Sequence, residues 1–238
     1  MKCIRQNDLE ISKEIMDRYN LETPEGRLDY IIKEKEGFFP LFSNSIFVAI
    51  GGTTEYNKVK EIMCKDIDEF LNLEDLKIEN INIEAVSKAK VYSLDGIFTT
   101  LISFVEMSKV LRLMRKDVDK LERAFEKIER NFILFLETLN LNEVRHFSYA
   151  DPSAMPEILG KHHEKWIVER FVTLLDKLSH LDIVIHICPV LFKNLRETMD
   201  IKNKKVKCYQ GEFLNEEGFK VVGGSCIKNK KEAVYFSF

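Results

Sequence analysis

No glycine-rich phosphate loop occurs in this sequence. Gly51-Gly52-Thr53-Thr54 and Gly223-Gly224-Ser225 lack the spacing with which such loops cradle a pyrophosphate, so the nucleotide-dependent classes recognised by those motifs are excluded. An excess of positive charge is missing as well. The formal net charge is −3 and the pI about 6.0, which gives no reason to expect nucleic acid as a partner. No apolar run reaches the length of a membrane span, and the opening residues MKCIRQND lack the apolar core of a secretory signal. A cytoplasmic protein with no membrane partner is expected. The cysteines number five, at 3, 64, 188, 208 and 226, and form no disulfide framework. In a reducing compartment such thiols are free, metal-bound or reactive.

What is present is a soluble globular composition, 45% hydrophobic and 32% charged. Runs such as Lys33-Glu34-Lys35-Glu36 read as solvated helix faces. A length of 238 residues accommodates one α/β barrel. The spacing predicts helices over 8–19, 57–72, 98–115, 117–139, 162–178 and 190–199, with a further helix start at Thr23-Pro24-Glu25. It predicts strands within 38–50 and over 88–94, 144–149, 182–187, 206–209, 220–222 and 233–236. Strands alternating with helices argue for a mainly parallel sheet, and periodicity does not say whether it is open or closed. A single domain over 1–238 is expected, with an N-terminal helical extension at about 1–35.

The strand over 182–187 is the most informative. It is a short β-branched run that ends in His186, with Cys188 two residues on and Pro189 after it. Residues two apart on a strand point to the same side. In a barrel, chemistry sits at the C-terminal ends of strands, and imidazole with thiolate is a donor pair that zinc favours. A buried histidine beside an inert thiol satisfies the same pattern. Of the other cysteines, Cys3 and Cys64 read as surface or core filler, while Cys208 and Cys226 fall near strand-like segments.

A second candidate is Asp151, just past a strand end in Tyr149-Ala150-Asp151-Pro152-Ser153-Ala154-Met155-Pro156-Glu157-Ile158-Leu159-Gly160. It suits either catalysis or the capping of a turn or helix. Asp95-Gly96 also follows a strand, and there the turn reading is stronger. His146 alternates with Ser148 and is placed to line an interior, His162-His163 sits at a helix start, and His180 reads as surface.

The order of these motifs resembles the uroporphyrinogen decarboxylase superfamily. The Asp151-Pro152-Ser153-Ala154 loop, an amphipathic helix, then a strand closing in His186-Ile187-Cys188 is similar to its methylcobalamin:coenzyme M type methyltransferases. Gly96-Ile97-Phe98-Thr99 is similar to the family's Gly-Pro-Phe-Thr turn. The resemblance covers roughly residues 88–200. It implies a (β/α)8 TIM-like barrel, incomplete or degenerate at its C-terminal end, with zinc at the mouth. The metal would be held by His186, Cys188 and a later cysteine, most similar to Cys226 with Cys208 as its rival. The implied reaction moves a methyl group from a methylcorrinoid, carried on a corrinoid protein, to a small thiol that zinc holds as thiolate. Asp151 would position substrate or hydrogen-bond a metal ligand.

This chain departs from that pattern at Pro189, where the family has glycine, and in the short interval from Cys188 to Cys226. One or more βα units are therefore missing. A non-catalytic accessory that binds a corrinoid protein or a thiol is the alternative. Porphyrinogen decarboxylation is disfavoured, because the N-terminal region offers only the scattered Arg5, Arg18 and Arg27 to hold an acidic tetrapyrrole.

Overall fold

The computed structural model describes residues 13–20, 45–50, 54–55, 58–59, 62–77, 92–198, 202–206, 218–224 and 233–237. The first part carries helices α1 (Lys13–Tyr19) and α2 (Ser45–Ala49), the antiparallel pair β1 (Thr54–Glu55) and β2 (Lys58–Val59), and α3 (Ile67–Leu71). Next come β3 (Tyr92–Asp95), α4 (Ile97–Phe104), α5 (Met107–Lys116), the long α6 (Val118–Leu141) and β4 (His146–Ala150). After β4, α7 (Pro156–Leu159) leads through a 3-10 turn (Gly160–His162) and a π-helical stretch (Glu164–Glu169) into α8 (Arg170–Leu178). Then follow β5 (Val184–Ile187), α9 (Pro189–Thr198), β6 (Lys202–Val206), β7 (Lys220–Gly223) and β8 (Ala233–Ser237).

Strands β3, β4, β5 and β7 lie side by side, parallel and in chain order. Parallel neighbours in chain order, joined by helices, occur both in barrels and in one half of a doubly wound sheet. At the C-terminal end the repetition stops: β8 runs antiparallel to β7, and β6 antiparallel to β8. Among the described residues the six-stranded sheet ends at β3 and at β6, so the fold is α/β with a mainly parallel sheet and no closed eight-stranded ring is seen. No described helix is long and apolar enough to cross a membrane.

The core lies between one face of this sheet and the helices. Phe147 and Tyr149 of β4 share a face by the period of two, and Tyr149 packs its ring on Phe132 at 5.8 Å and on Phe171 at 4.6 Å. Helix α6 presents Leu121, Phe125, Ile128, Phe132, Phe135 and Leu139, all buried, at alternating steps of three and four. Asp117 starts that helix by accepting a hydrogen bond from the Lys120 amide at 3.1 Å.

Several sequence expectations need correction. The apolar run in 38–50 does not make a strand over its described part; 45–49 is a helix, with Ile46, Phe47 and Ala49 buried and Phe47 against the Phe104 ring at 4.9 Å. Short buried runs do not distinguish strand from helix by periodicity, and here packing decides. The helix expected over 57–72 is only α3, preceded by the β1–β2 pair, because Asp66 caps it by accepting from the Asp68 and Glu69 amides. The single helix expected over 98–115 is two. It breaks at Val105, whose backbone is extended, and the Cys64 amide takes the Phe104 carbonyl at 2.9 Å. The expectations at 1–12, at 23–25 and at 207–209 lie outside the described residues.

Candidate functional site

The C-terminal ends of the parallel strands bring together Asp95, Asp151 and Cys188. Register pairs Asp95 with Ala150, Ser148 with His186, and His186 with Val222. Partners in register point to one side, so His146, Ser148 and His186 share the face opposite the helical layer, and Cys188 follows directly after β5. The Cys188 amide extends the pairing by donating to the Tyr149 carbonyl at 3.0 Å. Pro189 then opens α9, and the Phe192 amide donates back to the Cys188 carbonyl at 3.0 Å. The proline that departs from the resembled pattern thus serves as the first residue of a helix, where its missing N–H is no loss.

His186 is 2% exposed, and its Nδ1 is hydrogen-bonded to the Ser148 hydroxyl at 3.1 Å. That contact fixes the orientation of the ring. Among the described residues no group of three His, Cys, Asp or Glu side chains is arranged to hold a metal ion. His186 and Cys188 supply two donors of the right chemistry; Cys226 lies outside the described residues, as do Cys208 and Cys3. Cys64 is buried in another part of the core, where burial together with Glu69 and Asp66 pushes its thiol up to about 11. It is an inert packing residue.

Asp151 does not cap the helix that follows it. Its carboxylate reaches across to α4, where Oδ2 accepts from the Phe98 amide at 3.0 Å and Oδ1 accepts from the Thr99 amide at 2.9 Å. The Thr99 hydroxyl donates to the same Oδ1 at 2.5 Å and accepts from the Ser153 amide at 3.2 Å. The remaining first-turn amide, of Ile97, donates to the Tyr149 hydroxyl at 3.0 Å. Gly96 has no side chain to cap the helix itself, so Tyr149 of β4 and Asp151 just past it supply the cap from more than fifty positions away. The loop is held from its other side as well, by the buried His163, whose Nε2 donates to the Ala154 carbonyl at 3.1 Å.

Burial raises the Asp151 carboxyl from the usual 3.8 to about 6, against the opposing donors Thr99 and Phe98 and with help from the nearby Asp95. The folded state therefore holds more protons at this site than the unfolded chain between pH about 4 and about 6. Its contribution to stability is fully present below that window and falls as pH rises through it. Asp151→Asn has no such titration. Urea unfolding should show the wild-type advantage over Asp151→Asn shrinking by on the order of 2–3 kcal/mol from pH 4 to pH 7. An advantage that stays flat or grows with pH would contradict this account.

Tyr149, Thr99 and Ser148 are residues that the sequence did not single out for these roles. Alternation along β4 marks the side Ser148 occupies, but no local signal links Tyr149 or Asp151 to a helix start in an earlier segment.

No protein-family model matches the chain, and no curated protein does. A solved structure matches in fold: a methyltransferase from Methanosarcina mazei, with a TM-score of 0.55 and 16% identity, over 74% of this chain and 62% of that one. The likeness at that identity is one of fold, and the chain spans less than two thirds of the structure it matches.

Proposed function

We propose that this chain is a zinc-dependent methyltransferase of the type it resembles in the uroporphyrinogen decarboxylase superfamily, built on a shortened (β/α)8 barrel. The reading rests on His186 lying in β5 and Cys188 directly after it, where four parallel strands end. The fold likeness to a methyltransferase supports it. In this reading His186, Cys188 and Cys226 hold zinc, with Cys208 as the alternative third ligand. Zinc bound there would keep a small acceptor thiol as thiolate, the form that takes a methyl group from a methylcorrinoid on a partner protein.

The chain's own residues prepare that position. With Nδ1 engaged by Ser148, ligation by His186 falls to Nε2, and the hydroxyl sets the angle of the ring. Asp151 is a positioning residue: it clamps the start of α4 to the end of β4 and so shapes the rim beside the donor pair. Burial of His186 and Cys188 keeps bulk water from competing for their donor atoms.

Protein purified without chelator should carry about one zinc per chain. Cys188→Ser should lose most of it and Cys64→Ser should not, with Cys226→Ser and Cys208→Ser identifying the third ligand by elemental analysis. Loss of the methyl-cobalt absorbance of methylcobalamin should then require both zinc and a thiol such as coenzyme M or homocysteine. Zinc well below stoichiometry that added metal does not restore would sink the assignment.

A second reading, a non-catalytic accessory that binds a corrinoid protein or thiol, is favoured by one observation. Both Asp151 oxygens are engaged by α4, which leaves the strand ends without a carboxylate turned to substrate from that position. Full zinc occupancy with no demethylation, by any thiol or with a corrinoid protein supplied, would select it.

A further inference from the structure

A cavity of about 360 Å³ opens between α5 and the segment after β4. Its apolar wall includes Met114, Ile158 and Leu159. Its charged wall is Arg112, Arg115 and Lys116, and no carboxylate lines it. Among the described residues no ion pair joins any of these three cations to an Asp or Glu, whereas Lys109, on the same helix, pairs with Glu106 at 3.7 Å. The concentration of positive charge is notable in a chain whose net charge is −3.

The position follows from the topology. Helix α6 is 24 residues, about 36 Å, long and delivers the chain to the start of β4. Its own start, and the end of α5 at Lys116 just before it, therefore lie toward the opposite end of the sheet, where the parallel strands terminate. Helix α7 follows β4 after the short loop 151–155, so both walls of the cavity stand at the end that carries Asp151 and Cys188.

Arg115 and Lys116 also complement the C-terminal dipole of α5, which by itself accounts for two cations at a helix end. It does not account for a concave site with an apolar floor. Ile158 is 42% exposed, although a polar residue there would face water at no loss. Pockets of this size with apolar walls and a few convergent charges take small amphipathic ligands. Guanidinium groups select planar or tetrahedral oxyanions by paired hydrogen bonds.

We propose that this cavity binds a small organic anion: a carboxylate or phosphate monoester on an apolar body, its head on Arg115 and Lys116 and its body against Met114 and Ile158. The site is distinct from the His186–Cys188 pair, and zinc content has no bearing on the outcome. The test follows the Met114 methyl in the NMR spectrum of methyl-labelled protein, assigned with Met114→Leu. The ligands are phenyl phosphate, benzoate, inorganic phosphate and benzyl alcohol.

Saturable shifts should appear with phenyl phosphate or benzoate, at a Kd about tenfold or more below those of inorganic phosphate and benzyl alcohol. Comparing the two organic anions decides between phosphate and carboxylate. Arg115→Gln with Lys116→Gln should raise the Kd about tenfold, and Ile158→Ser should weaken the organic anions several-fold while leaving inorganic phosphate unchanged. All three side chains are exposed, so the variants should fold with a thermal midpoint within a few degrees of the wild type, the shift reflecting the lost helix-end charges. No saturable Met114 shift with either organic anion, an unchanged Kd in the double variant, or benzyl alcohol binding as tightly would each overturn the proposal.

Discussion

Gly96→Ala is expected to destabilise the protein by about 3–5 kcal/mol, far more than a methyl group at a glycine usually does. A Cβ at position 96 would lie 2.4 Å from Asp151 Cβ, Cγ and Oδ2. Real Cβ atoms do not approach other heavy atoms so closely, and the neighbour is the first part of a short side chain, which has nowhere to swing. Either β3 and β4 separate at their ends or the carboxylate leaves α4. In the second case the Phe98 and Thr99 amides lose their partners, at about 1–3 kcal/mol for a buried group left unsatisfied.

The backbone at Gly96 is ordinary, with φ −69°, so the requirement is for space alone. Gly160 supplies the contrast: its φ is +53° and nothing lies within 4 Å of a Cβ there. Gly160→Ala should cost about 1–3 kcal/mol, from strain alone, because its φ of 53° and ψ of −133° are a backbone conformation that essentially only glycine adopts. Urea unfolding of both variants makes the comparison. Because Asp151 Cβ is itself one of the clashing atoms, Asp151→Ala should not rescue Gly96→Ala. A loss at Gly96 no larger than that at Gly160, or a rescue, would remove the close approach as the reason for this glycine.

Arg170→Ala should be comparably damaging. The Glu129 side chain is 5% exposed, and its Oε1 is held by Arg170 at 2.6 Å while Oε2 meets Lys177 at 3.2 Å. Arg170 also contacts Glu122, and its guanidinium carbon lies 4.8 Å from the Phe125 ring centre and 5.2 Å from that of Trp166. Burial pulls the arginine down to about 10 and pushes Glu129 up, so each charge depends on its partner for what it loses from water. Removing the arginine leaves a buried carboxylate with one half-exposed lysine, a loss of about 3–5 kcal/mol.

Replacing both charges tests that reasoning. Arg170→Met combined with Glu129→Leu should recover stability to within about 1 kcal/mol of the wild type, because it removes the desolvated charges together. Arg170→Lys should recover little, since an ammonium cannot bridge Glu122 and Glu129 or stack on two rings as the flat guanidinium does. If the double variant is no more stable than Arg170→Ala alone, the pair is a net source of stability in this fold.

The parts of the fold that are local in origin were legible in the sequence. Strand β5 shows itself as a β-branched run stopped by proline. Helix α6 carries its own cap in Asp117 and its own apolar stripe. What escaped was set from a distance. Nothing near Val105 marks the break between α4 and α5, because the Cys64 amide, 40 positions earlier, takes the carbonyl that another turn would have used. The cap of α4 is invisible for the same reason: Gly96 offers no side chain, and Tyr149 and Asp151 act across the fold. Asp95 reads as a turn residue beside Gly96, yet it completes β3 by pairing with Ala150. For the candidate site, the sequence singles out His186 and Cys188, while Cys226 and Cys208 fall outside the described residues.

The cap that β4 places on α4 also orders events in folding. A helix normally begins from its own first turn, with a neighbouring side chain holding the loose amides until later turns accumulate. Here Ile97, Phe98 and Thr99 have no partners until the chain has run through α5 and α6 and laid β4 beside β3. Helix α4 is eight residues long, too short to persist alone in water. Its first turn and the β3–β4 pairing therefore form as one cooperative step, whose rate is set by closing a loop of some fifty residues. Once closed, that end of the helix is tied to the strand pairing, and separating the two strands frees its amides.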